Sequence, residues 1–425
     1  MLRRRCRMLQ PKAPSNSWLT RTMLRRLAAS LILAEQEDLV AKGQLERGAL
    51  AVLKRPAALH NSFDAVRIDE SGLGFDSLSR LSLILRFNRF FHLNDTGIED
   101  YLLTATSLGK WVTLLDQHLR AMGDGARFSF ATSGSAGPVK HICHSVSDLV
   151  EEVHSLQRRL QDWMRPNGRF LALVPPHHIY GFLFTCLLPK FAGMPVVDLH
   201  HAGPCAAFRH ARSGDVLIGT PFVWRTLCAS GLTFAHDVLG VTSAGAACSQ
   251  TWSTRDINGL GKLIEIYGST ETGGIGTRSE PGAAFELLDH LCRANGNDEV
   301  IADGKPSKPL QDKLEWLGPR QFRLQGRRDD VVKVGGVNVS PSHVEAVLRA
   351  CEGVSAASVR LAGDRMKAFV VPRPGIVLSK LEALLNAHMR RHLQAPARPV
   401  QLTFGAELPV NAMGKICDWD AAPSG

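Results

Sequence analysis

The chain has 425 residues, of which 44% are hydrophobic, and it carries a formal net charge of +10. This length suits two or three globular domains with a sizeable core. No apolar run approaches the roughly 18 residues that a membrane span needs. The nine cysteines are scattered without a metal-like cluster, which indicates reduced thiols in a cytoplasmic protein.

Much of the positive charge lies at the start of the chain, before the first acidic residue, Glu35. Residues 1–21 are predicted to be a basic, disordered tail, or upstream sequence from a misassigned start with Met23 as the true one, and a targeting peptide is less favoured. The remainder is only mildly basic, so nucleic acid is not expected as a partner. If the tail did bind DNA, its removal would abolish a salt-sensitive retention.

Residues 22–120 carry a helical pattern. Apolar residues recur at helical spacing between Thr22 and Lys42, and two short helices are predicted at 98–103 and 108–119. Between them, Asp76 can cap a helix whose first turn exposes Ser77. The apolar face of that helix is predicted to comprise Leu78, Leu81, Ile84, Leu85, Phe90 and Phe91.

The segment Gly74-Phe-Asp-Ser-Leu78, followed by these helices, resembles an acyl or peptidyl carrier protein. By that resemblance 22–120 would be a helical acyl-carrier-like domain, and Ser77 would carry phosphopantetheine. The alternative is an ordinary capped helix in a bundle. Gly72-Leu-Gly-Phe-Asp-Ser77 is not a dinucleotide fingerprint, because its last position is serine and no strand precedes it.

The next stretch has the composition of a phosphate-binding loop. Glycines let backbone N–H groups turn toward an anion, hydroxyls add donors, and a lysine adds positive charge. The alternative is an ordinary Gly/Ser turn, and the spacing does not fit an NTPase P-loop. The residues of the loop are Thr132, Ser133, Gly134, Ser135, Gly137 and Lys140.

Strands and helices alternate after this loop, which predicts a largely parallel sheet covered by helices. A helix is expected at 147–164, and the strands at 169–174, 196–197, 216–219, 238–243 and 263–266. From Gly326 the composition changes, and helices are predicted at 341–349 and 378–393. We therefore expect an α/β large domain at 127–326 and a small α+β domain at 327–425.

Two motifs identify a family resemblance. Thr132-Ser-Gly-Ser-Ala-Gly-Pro-Val-Lys140 and Glu265-Ile-Tyr-Gly-Ser-Thr-Glu-Thr-Gly273 resemble the adenylate-forming (AMP-binding) superfamily of acyl-CoA synthetases and aryl-acid ligases. In the first motif, Ala136 and Val139 stand where the family usually has threonine and proline. The resemblance implies a large α/β domain followed by a small, mobile C-terminal domain.

Further segments match the family in its usual order, and their roles are those the resemblance implies. His178, within Pro175–Gly181, would line the acyl pocket, and Gly245 and Ala246 would contact adenine. Tyr267 would stack on adenine, Thr270 would lie near the α-phosphate, and Glu271 would bind Mg²⁺, a hard cation that prefers oxygen ligands.

The C-terminal third carries the rest of the resemblance. Arg327 and Asp312 would bind the ribose, although Leu310-Gln-Asp312 replaces the usual Thr-Gly-Asp. Asp329 would be the hinge about which the small domain rotates. Lys415, within Leu408-Pro-Val-Asn-Ala-Met-Gly-Lys-Ile416, would enter the site for adenylation.

The reaction implied by this resemblance has two steps. A small carboxylic acid attacks the α-phosphate of ATP to give an acyl-adenylate and pyrophosphate, and a thiol then displaces AMP. Lys140, Lys415 and Mg²⁺ on Glu271 would stabilise the developing charge. The thiol would belong to CoA or to phosphopantetheine on a carrier protein, in trans or in cis on Ser77, in a biosynthetic pathway.

Some alternatives stay open in the sequence. Family members normally have a subdomain before the phosphate loop, so either the chain is a compact form that lost it, or residues 22–120 are its reduced version and not a carrier. A degenerate, non-catalytic scaffold in a biosynthetic complex is the alternative function. A pocket near His178, Phe222, Trp224 and Ala244 could take an aromatic or a medium apolar acid, with a mild preference for aryl acids.

Overall fold

A computed structural model gives the fold of the protein. The structure describes residues 18–45, 53, 61–132, 140–235, 237–243, 252, 259–294, 299–302, 305–327, 332–334, 337–362, 365–411 and 416–419. They divide into two compact units. The large unit contains the described residues up to Pro281, and the second unit contains those from Gly282 onward.

The helices predicted in the first part of the chain are confirmed. Thr20 caps the first of them, because its hydroxyl accepts a hydrogen bond from the Met23 N–H. Asp76 caps the second, accepting the Ser79 N–H at 2.7 Å. The helices are α1 (Arg21–Ala41), α2 (Ser77–Phe91), α3 (Glu99–Thr104) and α4 (Leu108–Met122).

The predicted buried face of α2 is partly wrong. Leu78, Leu81 and Leu85 are 74%, 46% and 54% exposed. The helix instead buries Leu83 and Phe87 together with the predicted Ile84, Phe90 and Phe91. The reason is an aromatic cluster, since the face that carries the phenylalanines packs against aromatic rings of three other elements, α4, the strand at Arg127–Ala131 and the helix at Ile179–Phe182. Its members are Phe87, Phe90, Phe91, Trp111, Phe128, Phe130 and Phe182.

The N-terminal helices belong to the large unit. The Arg26 side chain is 1% exposed, and its guanidinium binds the Asp198 carboxylate at 2.8 Å and donates to the Thr185 carbonyl oxygen at 2.6 Å. Further along α1, the Ser30 hydroxyl lies 2.6 Å from His177 Nδ1. Contacts of this kind tie α1 to residues far along the chain, so the expected separate carrier-like domain is not confirmed.

A hairpin and a sheet form the centre of the large unit. The hairpin consists of β1 (Arg127–Ala131) and β2 (His141–Ser145), paired antiparallel. Parallel pairing joins five strands in the order β4-β3-β5-β6-β7, and β8 pairs antiparallel with β7. The sheet strands are β3 (Phe170–Ala172), β4 (Val196–Asp198), β5 (Val216–Gly219), β6 (Leu239–Ser243), β7 (Lys262–Ser269) and β8 (Gly273–Arg278).

Helices accompany these strands as the alternation predicts. Ser145 caps the longest of them, with its hydroxyl accepting the Asp148 N–H. A π-helical segment, Leu183–Leu187, joins two of the others. The helices are α5 (Val146–Leu160), α6 (Ile179–Phe182), α7 (Leu188–Ala192), α8 (Ala206–His210) and α9 (Pro221–Ala229). The five strands that the alternation predicts pair in parallel, as expected, and β8 pairs antiparallel, so the fold is mixed α/β.

The second unit begins with strands. β9 (Phe285–Leu287), β10 (Leu291–Arg293), β11 (Glu299–Ala302), β12 (Lys308–Pro309), β13 (Asp312–Trp316) and β14 (Gln321–Arg327) form antiparallel pairs. Next come β15 (Val332–Val334), β16 (Val337–Val339), α10 (Pro341–Arg349), β17 (Val354–Ala362), β18 (Arg365–Pro372), α11 (Leu378–His392) and β19 (Gln401–Phe404).

The last part of the second unit has a hydrophobic core of its own. α10 and α11 pack Val344, Leu348, Leu381 and Leu385 against buried residues of the β17-β18-β19 sheet. The small α+β fold predicted after Gly326 is therefore confirmed. Among the described helices of both units, none combines the length and apolarity that crossing a bilayer requires.

Candidate active site

The base of the predicted phosphate loop is closed by hydrogen bonds. The Thr132 N–H donates to the Lys140 carbonyl oxygen at 2.8 Å, and the Lys140 N–H donates to the Thr132 hydroxyl at 3.2 Å. The two residues extend the β1–β2 hairpin by one pair beyond Ala131 and His141. Thr132 and Lys140 therefore stand on either side of the loop, at its two ends.

The segment after β3 depends on a glycine at its end. A Cβ on Gly181 would lie 2.0 Å from the Pro175 carbonyl oxygen, so a side chain there would force the turn apart. His178 precedes α6 in an extended conformation, and its carbonyl accepts the Phe182 N–H at 2.7 Å. This close approach fixes the backbone of the turn, and therefore the position of the His178 Cα.

Tyr180 links the same segment to the sheet. Its hydroxyl lies 3.0 Å from the carbonyl oxygens of Gly219, the last residue of β5, and of Val241, in the middle of β6. Burial raises its pKa well above the usual value, so the phenol stays a hydrogen-bond donor. Trp224, which the sequence predicts near the acid pocket, is fully buried in the hydrophobic core.

The strongest motif of the sequence spans the end of β7 and the turn into β8. Tyr267 is buried on β7, and a bulge between Tyr267 and Gly268 shifts the pairing with β8. Thr270 and Glu271, both half-buried, follow in the turn. Inside the turn the Ser269 and Thr272 hydroxyls lie 3.0 Å apart, which stiffens it locally.

Two side chains outside the motif hold this turn. Glu152 on α5 is only 5% exposed, and its Oε1 accepts the Gly274 N–H at 2.7 Å. His144 on β2 has Nε2 at 2.7 Å from the Thr270 carbonyl oxygen, which can only accept, so Nε2 carries the proton. Neither residue was predicted to belong to the site, and the acidic position beside the apolar face of α5 is the one signal for Glu152 in the sequence.

The buried charge beside this turn belongs to β7 and β8. Glu265 accepts a hydrogen bond from the Arg278 guanidinium at 2.6 Å. Burial raises the pKa of the Glu265 carboxyl, and Arg278 opposes that shift. Arg278 also lies over the Trp252 ring, with its guanidinium carbon 5.9 Å from the ring centroid. This pair fixes the strand that carries Tyr267.

In the second unit, the two residues expected to bind ribose lie opposite each other. Asp312 opens β13 and pairs in register with Arg327, the last residue of β14. For Arg327 the structure describes the backbone alone. The register brings together two residues that are 15 positions apart in sequence (327 − 312 = 15).

Several predicted site residues lie outside the described part of the chain. They are Ser133, Gly134, Ser135, Gly137, Gly245, Ala246, Asp329 and Lys415. Ser77 is described, and it is the exposed first residue of α2, as the capping pattern predicts.

The described groups suit the binding of a nucleoside triphosphate. The hairpin that ends in Lys140 also carries His144, which contacts the turn of Thr270 and Glu271. A cation, a hydroxyl and a carboxylate are thereby attached to one connected framework within the large unit. Such a set can position a polyphosphate and the metal ion that accompanies it.

Comparison with protein families gives two matches. A model described as AMP-binding enzyme matches residues 115–297, and one described as AMP-binding enzyme C-terminal domain matches residues 343–415. The first range includes the phosphate loop and the Tyr267 motif. The second ends at Lys415.

Two curated proteins resemble the chain over nearly its whole length. The 4-coumarate–CoA ligase of Rhodobacter capsulatus is 44% identical, covering 94% of this chain and 100% of that protein. The 4-coumarate–CoA ligase of Cereibacter sphaeroides is 41% identical, covering 96% of this chain and 99% of that protein. Among solved structures, ATP-bound MatB of Rhodopseudomonas palustris superposes with a TM-score of 0.60 at 18% identity, covering 92% of this chain and 91% of that one, and it supports the fold alone.

Proposed function

The chain belongs to the family of AMP-binding enzymes and is an AMP-forming acid–CoA ligase, and we propose that the acid it activates is an aryl acid of the 4-coumarate type. The observation that carries the proposal is the identity of 41% and 44% to two 4-coumarate–CoA ligases across nearly the full length of each chain. The matches cover 99% and 100% of those two proteins. The match therefore includes the helices before the phosphate loop, which we interpret as the reduced first subdomain.

In the first step, the acid carboxylate attacks the α-phosphorus of ATP, and pyrophosphate leaves. We propose that Lys140 and the loop that Thr132 and Lys140 close bind the leaving pyrophosphate. Thr270 would donate its hydroxyl to the α-phosphate, and Tyr267 would support the adenine. Lys415 would stabilise the charge that develops on the attacking and bridging oxygens.

Mg²⁺ fits the residues of this site. Magnesium commonly keeps several waters and takes one or two protein carboxylates together with substrate phosphates, so it needs no all-protein cage. The described residues contain no cluster of three or more potential metal ligands, and the Glu271 carboxylate in the β7–β8 turn meets the smaller requirement. When bound, the ion would neutralise charge on the phosphates of ATP.

The ribose would lie against Asp312 and Arg327, the register partners at the ends of β13 and β14. In the second step, the thiol of CoA attacks the acyl carbon, and AMP leaves. We propose that rotation about Asp329 withdraws Lys415 between the two steps, because one site cannot hold both the lysine and the thiol arm.

The proposed acceptor is free CoA and not an arm on Ser77. The exposed position of Ser77 would admit a phosphopantetheine group, but α1, α2 and α4 pack as parts of the large unit. The described cysteines are free thiols, which supports our placing of the reaction in the reducing cytoplasm. A carrier protein in trans is the second candidate acceptor. The identity of the product, an acyl-CoA or an acylated carrier protein, distinguishes the two.

The experiment is ATP–pyrophosphate exchange over a panel of hydroxycinnamic, benzoic and fatty acids. We expect exchange with 4-coumarate and its near relatives, and a loss of about 100-fold or more in Lys415→Ala. Lys380→Ala, an exposed lysine on α11, is the matched control and should keep full exchange. Adding CoA should then release a soluble CoA thioester while the intact mass of the protein stays unchanged.

Three results would contradict the proposal. Pyrophosphate exchange with fatty acids alone would show that the substrate is a fatty acid and not an aryl acid. No exchange with any acid, in protein that melts cooperatively, would favour the non-catalytic scaffold. A mass increase that disappears in Ser77→Ala would establish the carrier role for that serine.

A further inference from the structure

A pair of side chains grips the turn that carries Thr270 and Glu271, one at each end. His144 Nε2–H donates to the Thr270 carbonyl oxygen at 2.7 Å, and Glu152 Oε1 accepts the Gly274 N–H at 2.7 Å. One contact uses a backbone acceptor and the other a backbone donor. The turn is thus held by two bonds of opposite polarity, which fix both its position and its orientation.

The Glu152 carboxylate lies very close to the backbone of the turn. Gly273 has φ +75, and a Cβ there would lie 2.3 Å from Glu152 Oε2. Only glycine suits both that backbone conformation and that approach. Burying a carboxylate is costly unless its oxygens are hydrogen-bonded, so a glutamate 5% exposed at this position indicates a specific task. An apolar side chain would fill the space without holding the Gly274 N–H.

Both side chains come from the chain segment that follows the phosphate loop. Lys140 ends the loop, β2 begins at the next residue and carries His144, and α5 follows β2 directly and carries Glu152. The phosphate-loop hairpin and the Glu271 turn are therefore parts of one framework. Loss of either contact would therefore leave the position of the Glu271 turn relative to Lys140 less well fixed.

We propose that Glu152 and His144 are positioning residues for the Mg²⁺–ATP complex, setting the Mg²⁺-binding Glu271 relative to the phosphate loop. The inference rests on the proposed function, since it takes ATP and Mg²⁺ as the guests of this site. Neither residue touches the substrate in this role. They act through the backbone of the turn, in the way that outer partners of metal ligands orient those ligands.

The test measures ATP binding by calorimetry, with Mg²⁺ and with EDTA, in the full-length protein. Glu152→Ala should weaken Mg²⁺–ATP binding by about 10- to 100-fold, while ATP binding in EDTA stays within about twofold of wild type. Glu152→Gln keeps a carbonyl oxygen for the Gly274 N–H and should recover most of the affinity. Glu151→Ala, about 100° around the same helix, is the matched control and should bind as wild type does.

His144→Ala should show the same Mg²⁺-dependent loss. The double variant should lose less than the product of the two single effects, because both bonds hold one turn. A thermal melt of each variant accompanies the binding data. Equal losses with Mg²⁺ and with EDTA, or a Glu151→Ala effect as large as that of Glu152→Ala, would overturn the inference.

Exchange kinetics separate this inference from the proposed function. If Glu152→Ala weakens Mg²⁺–ATP binding but the wild type exchanges with no acid, the positioning role stands and the ligase assignment fails. If the wild type exchanges with 4-coumarate, Glu152→Ala should lower the exchange rate and leave the KM for the acid within about twofold. A rise in the acid KM equal to the loss of rate would contradict the positioning role.

Discussion

At the scale of single residues, His118 shows how a histidine is held neutral in the core. It is 1% exposed, its Nε2–H donates to the Phe91 carbonyl oxygen at 2.8 Å, and its Nδ1 lies 2.8 Å from the Thr96 hydroxyl. Both ring nitrogens are thus satisfied without a second proton. Burial is the main cause that lowers the pKa of His118 below the usual value near 6.5.

This shift predicts a pH dependence of stability. As the pH falls below about 6.5, the unfolded chain takes up a proton that the folded His118 resists, so the free energy of unfolding decreases toward acid pH. In His118→Gln that part of the slope should vanish. Urea unfolding between pH 8 and pH 5 measures it, with His343→Gln, an exposed histidine, as the control. A slope unchanged in His118→Gln would contradict the assignment.

Residue-level prediction from the sequence succeeded where the signal is local. The Asp76 cap depends on one side chain and the three residues after it, and the structure confirms it. The buried face of α2 depends on partners elsewhere in the chain. Leucines and phenylalanines surround this helix, so its periodicity fits two faces, and the aromatic cluster decides between them. Glu152 and His144 were missed for the same reason.

At the scale of elements, α1 is anchored to β4 by the pair of Arg26 and Asp198. Arg26→Ala should lower the free energy of unfolding by about 3–5 kcal/mol, because Asp198 would remain as a buried, uncompensated charge. The double variant Arg26→Met with Asp198→Asn should recover part of that loss. Arg21→Ala breaks an exposed pair with Asp64 and should cost at most about 1 kcal/mol. Urea unfolding compares the variants, and equal losses for Arg21 and Arg26 would contradict the anchor.

The elements themselves were largely predictable. Helical and strand periods located α1, α5, α10 and the strands of the parallel sheet, because each pattern reports the burial of its own element. Strand order and the hairpin contact with the β7–β8 turn were not predictable. They depend on pairings between distant segments, which leave no local pattern in a single sequence.

At the scale of the whole molecule, the sequence left two interpretations of residues 22–120 open. A carrier domain would have its own core, whereas a reduced first subdomain would share one with the sheet. The structure places these helices in the large unit. Phe90 on α2 packs against Phe128, Phe130 and Phe182, all beyond the segment, so the core is shared.

A fragment of residues 18–126 should therefore fail to fold alone. Removing β1, β2 and α6 exposes the aromatic cluster, and Arg26 loses Asp198, so the apolar burial would not offset the entropy of ordering the chain. The fragment 327–425 is the positive control, since the hydrophobic core between Val334 and Leu393 lies entirely within it. Far-UV circular dichroism with thermal melting tests both. A cooperative melt of 18–126 would restore the independent carrier domain, whereas its absence beside a cooperative melt of 327–425 supports a ligase whose N-terminal helices are part of the large unit.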